Sequence, residues 1–132
     1  MFAAVILAAG SVSPVPAGPN RLAGSEWRPL EIAGETVPGS AGIFVRFEAK
    51  GRMAGSGGCN RIFGSFENDD ATVRMGPAAS TRRACPPDIM KREQAFLDAL
   101  TSARLYLRNQ ARLTLKDARG TTVLRLVQSD WD

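Results

Sequence analysis

Hydrophobic and polar residues alternate with a period of two over most of this chain. Ile43, Val45 and Phe47 alternate with Arg46 and Glu48, which is typical of a strand with one buried face. The same alternation predicts strands over the following further segments: 24–32, 52–56, 61–67, 72–75, 104–108, 112–116 and 122–127. Glycine, asparagine and aspartate are frequent between these segments, which indicates short turns joining antiparallel neighbours.

One segment changes to the period of a helix. Its apolar residues fall on one helical face, and they are Ile89, Met90, Phe96, Leu97, Leu100 and Ala103. Lys91, Arg92, Gln94 and Asp98 face away from that side. Prolines in the first turn followed by Asp88 are typical of a helix start. The pattern therefore predicts one helix over residues 87–103.

These elements predict a mostly β (α+β) domain. We expect a small antiparallel β-barrel-like fold of about seven or eight strands, with one α-helix packed against it. Pro29 predicts that the first strand is an edge strand or carries a bulge. Gly120 is placed for the positive φ of a hairpin loop. Tyr106, with Arg104 and Arg108, is expected on the solvated outer face of its strand.

The chain begins with an uncharged apolar segment. Residues 1–17 predict a cleaved signal peptide, although an uncleaved apolar terminus is the alternative. Residues 18–24 then form a linker, residues 25–128 the domain and residues 129–132 a tail. Residues 7–11 resemble a lipoprotein attachment sequence, but Ser11 stands where the acylated cysteine is required. We therefore expect a soluble periplasmic or secreted protein with no stable membrane anchor.

The charged residues restrict the chemistry of the domain. The formal net charge is +4, and only three of the 17 cationic residues are lysines. This modest positive charge does not by itself indicate nucleic-acid binding. The chain has no histidine, which removes the commonest general base and the commonest zinc ligand. The prediction is a non-enzymatic protein with no catalytic residue, no metal and no cofactor.

Cys59 and Cys85 are the only cysteines. In an exported domain they are expected to form a disulfide. Two reduced buried thiols, or a reactive thiol whose pKa is lowered by nearby arginines, are the alternatives. A zinc site is not expected, because two thiolates would need two carboxylates that nothing places nearby. The glycine-rich residues 55–58 lack the lysine and the following helix of a phosphate-binding loop, and they predict a tight corner.

Short motifs around the cysteines resemble a known family, the META domain of HslJ-like bacterial heat-shock proteins. The motif residues are Gly58, Cys59, Asn60, Arg61, Gly64, Thr81, Arg82, Cys85, Pro86 and Glu93. The resemblance covers residues 25–127, and it implies a barrel-like domain of the bacterial envelope. It also implies a role in heat-shock response and novobiocin tolerance, without an established enzymatic activity or cofactor. The motif residues themselves are expected to be structural.

The motifs leave one candidate ligand site. Arg61, Arg82 and Arg83 are the candidate ligand-binding residues, acting on an anion between the two cysteine motifs. Asn60 and Thr81 are expected to satisfy backbone groups at the sharp turns. Glu93 is positioned on the predicted helix to pair with one of the arginines, which would neutralise the site.

The predicted function is a monomeric exported protein that acts in envelope stress or antibiotic tolerance by binding an envelope protein or small molecule. One alternative is a carrier of small apolar ligands, with a cavity lined by Trp27, Phe47, Phe66 and Leu107. The other is a secreted enzyme inhibitor with a protruding loop. Nucleic acid is not an expected partner.

Overall fold

A computed structural model describes residues 21–130, so the predicted signal peptide, residues 18–20 of the linker and residues 131–132 of the tail lie outside the described residues. The ten strands are β1 (Ser25–Ile32), β2 (Glu35–Thr36), β3 (Ile43–Glu48), β4 (Arg52–Gly57), β5 (Arg61–Asn68), β6 (Val73–Met75), β7 (Ala79–Ser80), β8 (Leu105–Asn109), β9 (Arg112–Lys116) and β10 (Thr122–Gln128). One α-helix, α1 (Pro87–Ser102), lies between β7 and β8. Within residues 21–130, no helix has the length and apolar character needed to span a membrane.

The strands form one antiparallel sheet that nearly closes on itself. Its order is β6-β5-β4-β3-β1-β10-β9-β8. A single bridge between Thr72 and Leu105 brings the two ends together, and the Val73 amide donates to the Arg104 carbonyl at 3.0 Å. Helix α1 packs against this sheet, chiefly on β4, β6 and β10. The predicted barrel-like fold with one packed helix is therefore confirmed.

Two short strands were not indicated by the alternation. β2 pairs with β1, and β7 pairs with β5. Each has only two residues, both of them exposed, so neither contributes a buried position to a periodic pattern. The eight strands of the main sheet path agree with the predicted number.

Pro29 lies at an irregularity of an interior strand. β1 pairs with β3 over Ser25–Trp27 and with β10 over Trp27–Ile32. The pairing with β10 shifts register between Pro29 and Glu31. The prediction of an edge strand or a bulge is therefore met by the bulge, which accommodates a residue that lacks a backbone donor.

Large side chains fill the interior of the barrel. Trp27 and Phe47 are fully buried, and the Phe47 and Phe66 rings meet edge to face at 4.8 Å between centroids. The indole Nε1 of Trp27 donates to the Ser25 hydroxyl at 2.7 Å, and that hydroxyl donates to the Leu22 carbonyl. The buried polar atoms around Trp27 are therefore satisfied within the core.

The predicted orientation of β8 is wrong. Tyr106 is buried at 2% exposure, whereas Leu105 and Leu107 are 37% and 62% exposed. The Tyr106 hydroxyl donates to the Asp69 carbonyl at 2.7 Å, so the ring is buried while its polar end has a partner. The Arg108 guanidinium lies 5.0 Å from the Trp27 ring centroid. Tyrosine and arginine take the inner positions because their apolar parts cover the core.

Burial raises the pKa of the Tyr106 phenol above its ordinary value. The protonated phenol is therefore favoured in the folded state, and this stabilisation is present below pH 10 and lost as the pH rises through the folded-state pKa. We expect stability to fall above about pH 10. Because Tyr106 is the only tyrosine, phenolate absorbance measured with the unfolding midpoint follows this group alone. Tyr106→Phe should lose that part of the pH dependence; an unchanged dependence in this variant would contradict the assignment.

Candidate functional site

A disulfide joins the two cysteine motifs. The Cys59 and Cys85 sulfurs are 2.13 Å apart, and the two Cα atoms are 6.1 Å apart. The bond links residues 57–60, here called the disulfide corner, to the irregular segment 81–86 that precedes α1. Since both cysteines are used, the structure contains neither of the free-thiol alternatives.

The glycines in and just before the disulfide corner allow other groups to approach closely. A Cβ atom on Gly57 would lie 2.4 Å from the Glu93 Cγ, and one on Gly55 would lie 2.2 Å from the Phe44 carbonyl oxygen. Gly58 has a φ of +104°, which strongly favours glycine. The Gly57 amide closes the turn by donating to the Asn60 carbonyl at 2.9 Å. Residues 55–57 thus end strand β4, and the tight corner predicted for residues 55–58 is formed at residues 57–60.

Glu93 connects helix α1 to this corner. It is only 4% exposed. Its Oε2 atom accepts the Cys59 amide at 3.0 Å and the Asn60 amide at 2.6 Å, while Oε1 accepts the Asn60 Nδ2 at 2.8 Å. The carboxylate thus binds three N–H groups that would otherwise be buried without partners.

The expected pairing between Glu93 and an arginine is wrong. The ion pairs found among residues 21–130 join Arg46 to Glu26 and Glu48, and Arg125 to Glu31. Glu93 instead uses its oxygens on the backbone and the amide of the corner. It therefore neutralises none of the motif arginines.

Asn60 holds the segment that carries the second motif. Its Oδ1 atom accepts the Arg83 amide at 2.6 Å and the Thr81 hydroxyl at 2.9 Å. Its Nδ2 atom also donates to the Arg83 carbonyl at 3.3 Å. Thr81 pairs with Arg61 in both directions, since Thr81 N donates to the Arg61 carbonyl and Arg61 N donates to the Thr81 hydroxyl, each at 3.1 Å. Asn60 and Thr81 therefore satisfy backbone groups and fix the segment's path.

The remaining motif residues also have structural positions. The Pro86 carbonyl accepts the amides of Ile89 and Met90 at the start of α1. A Cβ atom on Gly64 would lie 3.0 Å from the Met53 Cε, so glycine leaves room for a core side chain. Neither residue presents a group to a ligand.

The structure places the three candidate arginines on adjoining segments, and they are here called the arginine cluster: Arg61, Arg82 and Arg83. All three are exposed. Arg61 begins β5, and the backbone bonds through Thr81 and Asn60 place Arg82 and Arg83 beside it. In the part of the chain that the structure describes, none of them forms an ion pair with a carboxylate. The cluster therefore leaves three guanidinium groups available to an anion.

Phe63 lies beside Arg61, although the candidate set from the sequence leaves it out. Its ring is 43% exposed, and the Arg61 guanidinium lies 5.7 Å from the ring centroid. The signal was present in the alternation, because a strand that turns Ile62 and Phe66 inward turns Phe63 outward.

The cavity predicted for an apolar carrier is not formed as expected. Leu107 is exposed and cannot line the barrel interior, while Trp27 and Phe47 are packed within it. A groove of about 680 Å³ lies instead at the seam between β6 and β8, bordered by residues such as Glu67, Asp69 and Arg104. Residues 21–130 contain no cluster of three or more metal-ligating side chains.

Comparison with known proteins agrees with the motifs and the fold. An NMR structure of a protein from Burkholderia xenovorans is 25% identical, covers 95% of this chain and 99% of its own, and has a TM-score of 0.66. A crystal structure of a DUF4847 family protein from Bacteroides vulgatus is 19% identical, covers 84% of this chain and 96% of its own, and has a TM-score of 0.64; it shows the fold alone. No curated protein matches the chain. The META domain model matches residues 20–130, and the chain therefore belongs to the META domain family.

Proposed function

We propose that this protein is a non-enzymatic, exported META-domain protein of the bacterial envelope that binds an anionic envelope component. In this proposal the arginine cluster is the binding site, and binding contributes to tolerance of heat, envelope stress or a novobiocin-type antibiotic. The observation that carries the proposal is the arginine cluster itself: Arg61 begins β5, and Arg82 and Arg83 lie on the segment fixed by Asn60 and the disulfide, with no carboxylate paired to any of the three in residues 21–130. Fixing the segment lowers the ordering cost of binding.

Two further observations support the proposal. The disulfide is compatible with an oxidising compartment outside the cytoplasm. The polar side chains of the motifs that are buried, Asn60 and Glu93, bond to one another and to the backbone. They are therefore occupied by holding the corner, and arginine side chains are the motif groups left for recognition.

The binding site can be tested with a matched pair of triple variants. The first replaces Arg61, Arg82 and Arg83 by glutamine. The second makes the same change in charge at Arg112, Lys116 and Arg119, which lie on β9 and the following turn. Each variant lowers the net charge by three, so that non-specific attraction is reduced equally.

We expect the first variant to bind the anionic components of an envelope extract at least about tenfold more weakly than wild type does. The second should bind as wild type does at moderate ionic strength. Equal losses in both variants would show that only net charge matters and would contradict the proposed site.

In cells lacking the wild-type gene, the first variant should also fail to restore growth under heat or novobiocin. The intact mass of the protein from its host tests export, which predicts loss of residues 1–17.

A further inference from the structure

The segment 81–86 places Arg82 between two residues that are held by the same side chain. Asn60 Oδ1 accepts the Thr81 hydroxyl at 2.9 Å on one side of Arg82 and the Arg83 amide at 2.6 Å on the other. Arg82 itself is exposed. In the part of the chain that the structure describes, its backbone forms no hydrogen bond and its guanidinium forms no ion pair. The neighbours of Arg82 are thus fixed, while Arg82 is free to contact a partner.

The backbone of this segment alternates between a bonded side and an open side. The Thr81 amide donates to the Arg61 carbonyl at 3.1 Å, and the Arg83 carbonyl accepts the Asn60 Nδ2 at 3.3 Å. Successive residues of an extended chain direct their backbone groups to opposite edges. Because Thr81 and Arg83 are directed towards β5 and the disulfide corner, the N–H and C=O groups of Arg82 are directed away from them. Arg82 therefore lies on an open edge of the chain.

An open edge beside an exposed arginine favours a serine protease as the partner. Such a protease binds a peptide chain as an extended strand, through main-chain hydrogen bonds along one edge. It selects the residue before the scissile bond by its side chain, and a carboxylate at the base of the specificity pocket selects a basic residue. A simple anion would need the guanidinium alone. The free backbone of Arg82 adds the second requirement, which is specific to a partner that pairs with the main chain.

The restraints on the segment favour an inhibitor over a substrate. If the bond after Arg82 is cut, Thr81 remains bonded to β5 and to Asn60. Arg83 also remains bonded to Asn60, and the disulfide still holds Cys85. The new amino group is therefore kept next to the acyl group, which accelerates re-formation of the bond. A segment without these restraints would instead separate after cleavage.

We infer that the segment around Arg82 is the reactive loop of an inhibitor of serine proteases that cleave after arginine. The protease serine adds to the Arg82 carbonyl carbon, and the bond to the Arg83 nitrogen breaks as that nitrogen takes a proton from the protease's general acid. Water then hydrolyses the ester, or the Arg83 amine attacks it and restores both the peptide bond and the serine hydroxyl. Because Arg83 is held in place, the second route competes with hydrolysis and the protease stays occupied. Inhibition does not rest on the anion-binding function proposed above, since it uses Arg82 alone.

The test titrates trypsin with the intact, disulfide-bonded protein and follows hydrolysis of a chromogenic arginine amide. The variants are Arg82→Ala, Arg82→Leu and, as the matched control, Arg83→Ala, which removes the same charge from the adjacent position. Chymotrypsin, whose specificity pocket is hydrophobic, is titrated in parallel. Mass spectrometry of the complexes locates any cleaved bond.

We expect the wild-type protein to inhibit trypsin with an inhibition constant of about 0.1 µM or below. Arg82→Ala should weaken this inhibition at least about 100-fold, whereas Arg83→Ala should change it less than about threefold. Arg82→Leu should lose inhibition of trypsin and gain inhibition of chymotrypsin. Early cleavage should occur only after Arg82, and the two fragments should remain joined by the disulfide.

Rapid cleavage after Arg82 without inhibition would identify a substrate and overturn the inference. Equal losses in Arg82→Ala and Arg83→Ala would also overturn it, because they would show attraction by charge alone. The absence of both inhibition and cleavage would overturn it as well. A gain of chymotrypsin inhibition by Arg82→Leu requires a folded loop, so this variant separates a loss of contact from misfolding. The glutamine triple variants test anion binding separately, and that function stands if the inhibitor assignment fails.

Discussion

Replacing Glu93 by leucine is expected to destabilise the domain by about 3–5 kcal/mol. The variant removes a buried carboxylate and leaves the Cys59 amide, the Asn60 amide and the Asn60 Nδ2 group without their acceptor. Each buried unsatisfied donor costs about 1–3 kcal/mol. Since small domains have only about 5–15 kcal/mol of stability, this single change removes a large share of it. Urea unfolding at neutral pH measures the loss.

Glutamine at the same position gives a sharper version of the experiment. Glu93→Gln preserves the size and shape of the side chain but replaces one acceptor oxygen by a donor NH₂ group. That group would face N–H donors of the corner, so we expect a loss of about 2 kcal/mol. Gln94→Ala on the exposed side of the same helix is the control, and it should cost less than about 0.5 kcal/mol. Equal stability of Glu93→Gln and wild type would show that the three bonds contribute little.

The position of Glu93 also shows what the sequence pattern leaves undetermined. Ile89 and Phe96 lie four residues before and three residues after it, so helical spacing places Glu93 on the buried face. A carboxylate there has to find donors, but the helix alone does not identify them. The donors come from a corner more than thirty residues earlier in the chain. The absence of a side chain at Gly57, which makes room for Glu93, was the available signal.

The strands differ in how well the alternation determined them. In β3, apolar Ile43, Val45 and Phe47 alternate with Phe44, Arg46 and Glu48, and the inward set was predicted correctly. In β8, both sets contain large apolar surfaces, namely leucines in one and Tyr106 with the Arg108 stem in the other. Period two then identifies the strand but not its inner face. Tertiary contacts to Asp69 and Trp27 decide the orientation.

The arginine cluster could be identified only partly from the sequence. Arg82 and Arg83 are adjacent in the chain, but their placement beside Arg61 depends on Asn60 and Thr81, which join two segments about twenty residues apart. Phe63 lies exposed beside Arg61, and its cross-strand neighbours are alanines. Such pairing follows from strand register, which local patterns do not specify for a strand as short as β7.

Reducing the disulfide is expected to lower the free energy of unfolding by about 3–4 kcal/mol. Cys59 and Cys85 are 26 residues apart, and the crosslink restricts the unfolded chain by closing this loop. The loss is measured by urea unfolding with and without reductant. The Cys59→Ala, Cys85→Ala double variant is the matched control, since it should show the same loss and no response to reductant. A wild-type midpoint that does not change on reduction would contradict this prediction.

The disulfide and Glu93 are also expected to depend on each other. Both act on Cys59, one through its sulfur and the other through its backbone amide. Without the disulfide, the corner has more freedom to move away from helix α1, so the Glu93 hydrogen bonds should contribute less. We therefore expect Glu93→Gln to cost about 1 kcal/mol less in the cysteine double variant than in wild type. Strict additivity in this double-mutant cycle would show that the crosslink and the carboxylate stabilise the corner independently.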